Sequence, residues 1–315
     1  MSTLMFPADR NADPVVIRRV VVIGCGLIGT SVALALRRAG VRVALADRDP
    51  RSLAQAVRMG AGTALRPGGG PADVVVIATP PSAVAAVLRD AQERRLGTVY
   101  TDVASAKARI LAEARRIGCD LSGYVPGHPM AGRELPGPRA ARADLFDGRA
   151  WVVCPHPELS PRALRVTAAL ARVCGAEVTS LPPDAHDRAA AAVSHLPHVL
   201  SATLASRFAD ADAAALPLAG RGLWDVTRVA GGPAEMWRDI LDHNAEPVAA
   251  LLEAVARDLN RVAHALRSAD RSPGDAATDV LTRGNIGRGR IVRAFARRDA
   301  QRSPRYAETA LPAAS

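Results

Sequence analysis

Three features predict an α/β fold in which a doubly wound parallel sheet precedes an all-helical C-terminal domain. A β-branched run at residues 20–23 leads into Gly24, Gly26 and Gly29, and then into an Ala- and Leu-rich segment at 27–38. Short apolar runs then alternate with helix-like segments as far as about residue 181, an alternation that places helices on both faces of a parallel sheet. Beyond Pro182 the strand signals vanish and apolar residues recur at helical spacing.

The first unit carries the most information. Residues 20–23 read as a buried parallel strand and 27–38 as a helix stopped by Arg37-Arg38 and Gly40. Residues 41–46 form a second strand ending on Asp47. Gly24 permits the tight turn, Gly26 lets backbone approach a pyrophosphate, and Gly29 lets the helix pack on the strand. The helix N-terminus supplies N–H groups and a positive dipole end for phosphates. Asp47, about 20 residues past the glycines, suits the two hydroxyls of an adenosine ribose and would repel a 2′-phosphate. The cofactor is therefore read as NAD rather than NADP, although Arg48 weakens that preference. This is a Rossmann-type dinucleotide site.

Further along, residues 50–59 predict a short helix, 67–71 a loop and 73–78 a strand. A helix is predicted at 82–95, a strand at 97–102, a helix at 105–117 and a strand at 124–125. Ligands in such sheets lie beyond the carboxyl ends of the strands, where Thr79, Asp102 and Ser105 fall. The cofactor set is thus Gly24, Gly26, Leu27, Ile28, Gly29, Asp47, Arg48, Thr79 and Asp102. Residues 133–148 read as a loop, and strands at 151–154 and 176–181 flank a helix at 161–173. The domain plan is a flexible arm at 1–17, a dinucleotide-binding domain at 18–182, a helical substrate and dimerisation domain at 183–269, and an irregular tail at 270–315. The helical half can cover its apolar faces with a second copy, which points to a homodimer.

Composition narrows the function classes. The net charge is +10, but basic residues are scattered and aromatics are 3% of the chain, so no nucleic-acid stacking platform is legible. The apolar run at 20–36 is shorter than the ~20 residues a membrane span needs and is broken by glycines. The four cysteines show no C-x-x-C spacing, as in reduced thiols of a cytoplasmic protein, and no metal-ligand set is read. Nearly every basic residue is arginine and Lys107 is the only lysine, a composition bias to which anionic substrates would add.

Four short stretches stand out beyond the glycine loop: TDVASAK (101–107), GHPMAGRE (127–134), SHLPH (194–198) and DVTRVAGGPAEMWRDI (225–240). In this order they resemble the prephenate/arogenate dehydrogenase family of tyrosine biosynthesis. The resemblance implies a cyclohexadienol substrate that loses hydride from C4 and its ring carboxylate as carbon dioxide. It implies that His128 takes the proton of the 4-hydroxyl, as a group titrating near neutrality can. Ser105 matches the serine that hydrogen-bonds that hydroxyl, and its position opening a helix also suits an N-cap. His195 and Arg228 match substrate ligands, the arginine as a bidentate carboxylate clamp. Glu134 and Trp237 match pocket-lining positions, Lys107 is assigned to the substrate, and His198 reads as structural. The Lys-His pair that the family often carries after GN-x-GR is absent from GNIGRGRI (284–291). The stretch after residue 269 is short for the regulatory domain of some members.

Arogenate or 4-amino-4-deoxyprephenate are alternative substrates. A β-hydroxyacid dehydrogenase would need a catalytic lysine, and the helical half has none. A non-catalytic NAD-binding regulator would leave the histidine, serine and arginine set idle.

Overall fold

In the computed structural model, residues 15–133, 135–210, 216–267 and 275–301 are described. The first fourteen residues of the N-terminal arm and Glu134 lie outside them. The chain begins as strand β1 (Arg19–Ile23), helix α1 (Leu27–Arg38), β2 (Arg42–Ala46), α2 (Pro50–Arg58), β3 (Thr63–Ala64) and β4 (Ala72–Ile77). It continues as α3 (Pro81–Glu93), β5 (Gly97–Asp102), α4 (Ala108–Arg116) and β6 (Tyr124–Val125). The six strands form one parallel sheet in the order β3-β2-β1-β4-β5-β6. The strand order reverses between β1 and β4, which opens a crevice at their carboxyl ends.

The period-2 geometry of a strand explains why β1 and β4 are unbroken apolar runs. Val20, Val22, Val74 and Val76 enter one core with Leu36, Leu45 and Trp151. Their neighbours Val21, Val75 and Ile77 enter a second core with Leu88, Ile110 and Tyr124. Both faces are covered, and each such buried aliphatic side chain contributes roughly 1.5–3 kcal/mol. Local signals set the helix starts: Asp49 accepts from the N–H groups of Arg51 and Ser52 ahead of α2, and Pro81 opens α3.

A second sheet was not legible in the sequence. Strands β7 (Gly127–Pro129), β8 (Ala150–Val153) and β9 (Glu177–Ser180) form it, with α5 (Pro161–Val173) between the last two. β7 is antiparallel to β8, and β8 is parallel to β9. Pro126 has no N–H to continue the ladder of β6, and the chain leaves the first sheet there. GHPMAG therefore starts as a strand, with His128 paired opposite Val152.

Helices follow: α6 (Pro183–Ala190), a π-helical turn at Ala191–His195, α7 (Leu196–Ser206), α8 (Arg221–Thr227), a 3-10 turn at Arg228–Gly231, and α9 (Ala234–His243). Pro197 cannot donate to the carbonyl one turn back, and the wide turn sits just before it. Next are α10 (Ala245–Arg267) and α11 (Ala276–Gln301). The chain divides into two compact units, one up to Val248 and one from Ala249. Helices α6 to α9 belong to the same unit as the sheets.

Two expectations are corrected. Residues 276–301 of the tail are helical, not irregular, because Arg and Ala are good helix formers and Asp275 caps the start by accepting from Thr278 N at 2.8 Å. Helix α4 starts at Ala108, so Ser105 is not its N-cap. The cap comes from another element: Asp187 of α6 accepts from the N–H groups of Lys107 and Ala108, both at 2.8 Å. Among the described residues no helix is long and apolar enough to cross a membrane.

Candidate active site

The glycine loop lies at the reversal of strand order. Gly24 has φ of 105°, and a Cβ there would collide with the Ala78 carbonyl at the end of β4. A Cβ on Gly29 would strike the Gly24 carbonyl oxygen, so both glycines serve the close packing of α1. Gly26 differs: a Cβ there meets nothing within 4 Å. It is the N-cap residue of α1, no side chain caps that helix end, and its first turn holds no acid. Open space above uncapped N–H groups is what a pyrophosphate requires.

Leu27 and Ile28, in the first turn of α1, are half-buried. At the end of β2, Asp47 accepts from Cys25 N at 2.5 Å and from Asp49 N at 2.7 Å, which ties it to the glycine loop and fixes its orientation. Exposed Arg48 is beside it. Just past β4, the Thr79 hydroxyl oxygen is buried without a hydrogen-bond partner among the described residues. These features fit a dinucleotide lying across the crevice. Cys25 is a packing residue, its thiol pushed up to about 12 by burial and by the Asp47 charge.

Asp102 does not join them, and its assignment to the cofactor is corrected. Its side chain is fully buried and spent internally, accepting from Lys107 Nζ, from Ala104 N at 2.8 Å and from the Tyr124 hydroxyl at 2.7 Å. Lys107 is corrected with it. Fully buried, it bonds Asp102 and donates to the Gly127 carbonyl at 2.8 Å, and so holds the strand that carries His128 instead of meeting substrate. Burial and the neighbouring Asp102 charge push the Tyr124 hydroxyl well above the usual phenol range.

His128 is 8% exposed at the centre of β7. Its Nδ1 is 2.8 Å from His186 Nε2, and His186 Nδ1 is 2.8 Å from Asp187 Oδ1. Burial above all, then the electrostatic influence of the neighbouring His186, Lys107 and His195 side chains, which disfavours a second positive charge among them, holds the His128 imidazole well below the ordinary histidine range. The imidazole is therefore neutral at physiological pH. Ser105 is half-buried in the bend between β5 and α4, and its hydroxyl has no protein partner among the described residues.

The helical residues gather around Trp237 of α9. His198 stacks on its ring with centroids 3.5 Å apart, and His195 meets it edge-on at 6.3 Å. His198 is thus a packing residue. His195 closes the π turn, fully buried, with its pKa lowered to about 4 chiefly by desolvation. Asn244 Nδ2 donates to the Asp187 carbonyl at 2.8 Å and to His195 Nδ1 at 3.0 Å. A neutral His195 that accepts at Nδ1 carries its proton on Nε2, and that buried nitrogen has no partner among the described residues. Arg228 heads the exposed 3-10 turn, which packs on α7.

The structure thus offers a proton acceptor (His128) and an unmet donor (His195) in the unit that holds the crevice. Sequence reasoning missed His186, Asp187 and Asn244. The only signal was an acid next to a histidine at the start of a helix, and nothing in one sequence says that a histidine 58 residues away lies against it.

Comparison with known proteins identifies relatives along most of the chain. Residues 32–180 match the family described as prephenate dehydrogenase, nucleotide-binding domain, and residues 182–275 match prephenate dehydrogenase, dimerization domain. A probable prephenate dehydrogenase, NovF, of Streptomyces niveus is 38% identical over 87% of this chain and 77% of its own. A 4-amino-4-deoxyprephenate dehydrogenase of Streptomyces pristinaespiralis is 32% identical over 80% and 86%. The crystal structure of prephenate dehydrogenase from Aquifex aeolicus, in complex with hydroxyphenyl propionate and NAD+, has a TM-score of 0.77 at 25% identity, covering 89% of this chain and all of that one. With a nucleotide crevice, a buried neutral imidazole and matches along most of its length, this chain belongs to the prephenate dehydrogenase family.

Proposed function

We propose that this NAD-dependent dehydrogenase converts prephenate to 4-hydroxyphenylpyruvate and carbon dioxide. The observation that carries the reading is His128, buried beyond the parallel sheet and held neutral by its surroundings. When bound, NAD+ accepts the hydride that leaves C4. The 4-hydroxyl proton passes to the His128 imidazole as C4 becomes carbonyl-like. The bond to the ring carboxylate breaks, its electron pair completes the aromatic ring, and the C4 oxygen, now phenolate-like, takes the proton back from His128. Ser105 donates to or accepts from the same hydroxyl, while His195 Nε2 and Arg228 hold substrate carboxylates. Trp237 lines the pocket between them, and the family resemblance assigns Glu134 to the substrate as well. Asp47 orients the adenosine ribose.

A specific observation favours a second substrate. The relative from Streptomyces pristinaespiralis is named for the 4-amino analogue, and exchanging hydroxyl for amine alters contacts at only one end of the ring. NADH formation with prephenate, arogenate and 4-amino-4-deoxyprephenate side by side decides between them. In His128→Ala, turnover falls at least about 100-fold, in line with loss of a general base, while the NADH titration is unchanged. Unaltered turnover in that variant would remove the base assignment. Wild-type kcat/KM stays level as pH falls through about 6.5, the free imidazole value, and declines only in more acid solution, since the folded-state pKa is depressed.

The same reading makes the protein a cytoplasmic homodimer. Support comes from the match to a dimerization domain and from exposed apolar side chains on α10 (Leu259, Leu266) and α11 (Leu281, Ile286, Ile291). The described cysteines are all free thiols, as a reducing compartment maintains them. Light scattering across a dilution series tests the dimer.

A further inference from the structure

His186 and Asp187 belong to none of the stretches that carry the family resemblance, yet the structure places them directly behind His128. The three side chains form one buried line, 8%, 2% and 3% exposed. His128 Nδ1 and His186 Nε2 are 2.8 Å apart, as are His186 Nδ1 and Asp187 Oδ1. The two rings meet edge to face at 71° with centroids 5.0 Å apart. At the far end, the Asp187 carboxylate is fixed by the N–H groups of Lys107 and Ala108 at the start of α4. Its next backbone group is fixed too, since the Asp187 carbonyl accepts from Asn244.

The direction of every bond in this line follows from its end. A carboxylate can only accept, so the proton between Asp187 and His186 resides on His186 Nδ1. A neutral His186 then has its lone pair on Nε2 and can only accept there. The proton between the two rings therefore resides on His128 Nδ1, and the His128 lone pair is on Nε2. We infer that His186 and Asp187 are positioning residues that impose the Nδ1–H tautomer on His128 and aim its basic Nε2 at the reacting hydroxyl.

The inference rests on His128 being the base in the proposed reaction. It adds how that base is prepared. In the step itself the substrate O–H bond breaks and an N–H bond forms at His128 Nε2, while Nδ1–H stays bonded to His186. The new positive charge is met along the line by the Asp187 carboxylate. Without the line, His128 could carry its proton on Nε2 and present a donor where an acceptor is needed.

The direct test is 15N NMR of histidine-labelled protein without substrate, with the His128 signals assigned by their loss in His128→Ala. The expected result is a protonated Nδ1 and a bare Nε2 on His128 in the wild type, and loss of that pattern in His186→Leu. A bare Nδ1 on His128 in the wild type overturns the inference. Kinetics supply the second arm. His186→Gln keeps an acceptor oxygen facing His128 Nδ1 and retains kcat within about 10-fold, whereas His186→Leu loses about 100-fold or more, the scale of a mis-set catalytic imidazole. NADH binding stays within twofold in both. Equal kcat in the Gln and Leu variants overturns the positioning role. Full activity in His128→Ala would instead remove the base assignment, and the NMR tautomer would still be readable by itself.

Discussion

At the scale of single residues, Lys107 shows how burial redirects a side chain. A lone lysine in an arginine-rich chain, beside a serine that could face substrate, reads as a ligand. In the fold it has no solvent contact, and its ammonium joins Asp102 at the end of β5 to the Gly127 carbonyl at the start of β7. A compact ammonium with three donors suits that cavity better than a planar guanidinium. Lys107→Met leaves the Asp102 carboxylate buried with its cation gone, and chemical unfolding should show a loss of about 3–5 kcal/mol. The double variant Lys107→Met/Asp102→Asn should recover much of that loss, because no uncompensated charge is then buried. A Lys107→Met protein as stable as wild type would show that the pair contributes nothing to the fold.

At the scale of elements, the β1–α1 unit separates two uses of glycine that look alike in sequence. Gly29 faces backbone, and a methyl there collides with the Gly24 carbonyl. Gly26 faces open space at an uncapped helix end. Gly29→Ala should therefore lower Tm by several degrees, as expected for ~1–3 kcal/mol of overpacking. Gly26→Ala should leave Tm within about 1 °C, in keeping with a surface change of under ~0.5 kcal/mol, yet weaken NADH binding about 10-fold or more. Fluorescence titration and a thermal melt of both variants check the contrast, and matching effects on stability would contradict it. The π turn before α7 is a second element-scale device. It carries His195 at its end, and Pro197 two residues on is legible in sequence as a helix defect, although the turn's width and the burial of His195 are not.

At the scale of the whole molecule, buried neutral histidines link folding to pH. His128 lies well below its ordinary pKa and His195 is lowered to about 4, in both cases chiefly by desolvation. The unfolded chain binds these protons near pH 6.5, a range in which the native chain does not. Both groups therefore contribute stability that is complete above about pH 6.5 and falls as the pH drops toward the folded values, by about 1.4 kcal/mol per pH unit for each. Urea midpoints measured at about pH 7.5 and about pH 5 should differ accordingly. His195→Gln should reduce that difference by the share of one group. A midpoint independent of pH across this window would mean that these imidazoles are protonated in the native state.

The sequence by itself determined the parallel sheet, the glycine loop, Asp47 and the helical character of the C-terminal half. These depend on contacts between near neighbours or on the strand and helix periods, which are written directly in residue order. It also picked out His128, because the histidine stands inside a motif. Only the tertiary structure decided that residues 127–129 open a second sheet and that Asp187 caps a helix 79 residues earlier in the chain. It alone moved Lys107 and Asp102 from ligands to a buried pair, and set His186 and Asn244 beside the site. Polar groups out of water must find partners wherever the chain brings them, so their pairing depends on the packing of distant segments and leaves no period or spacing in the sequence.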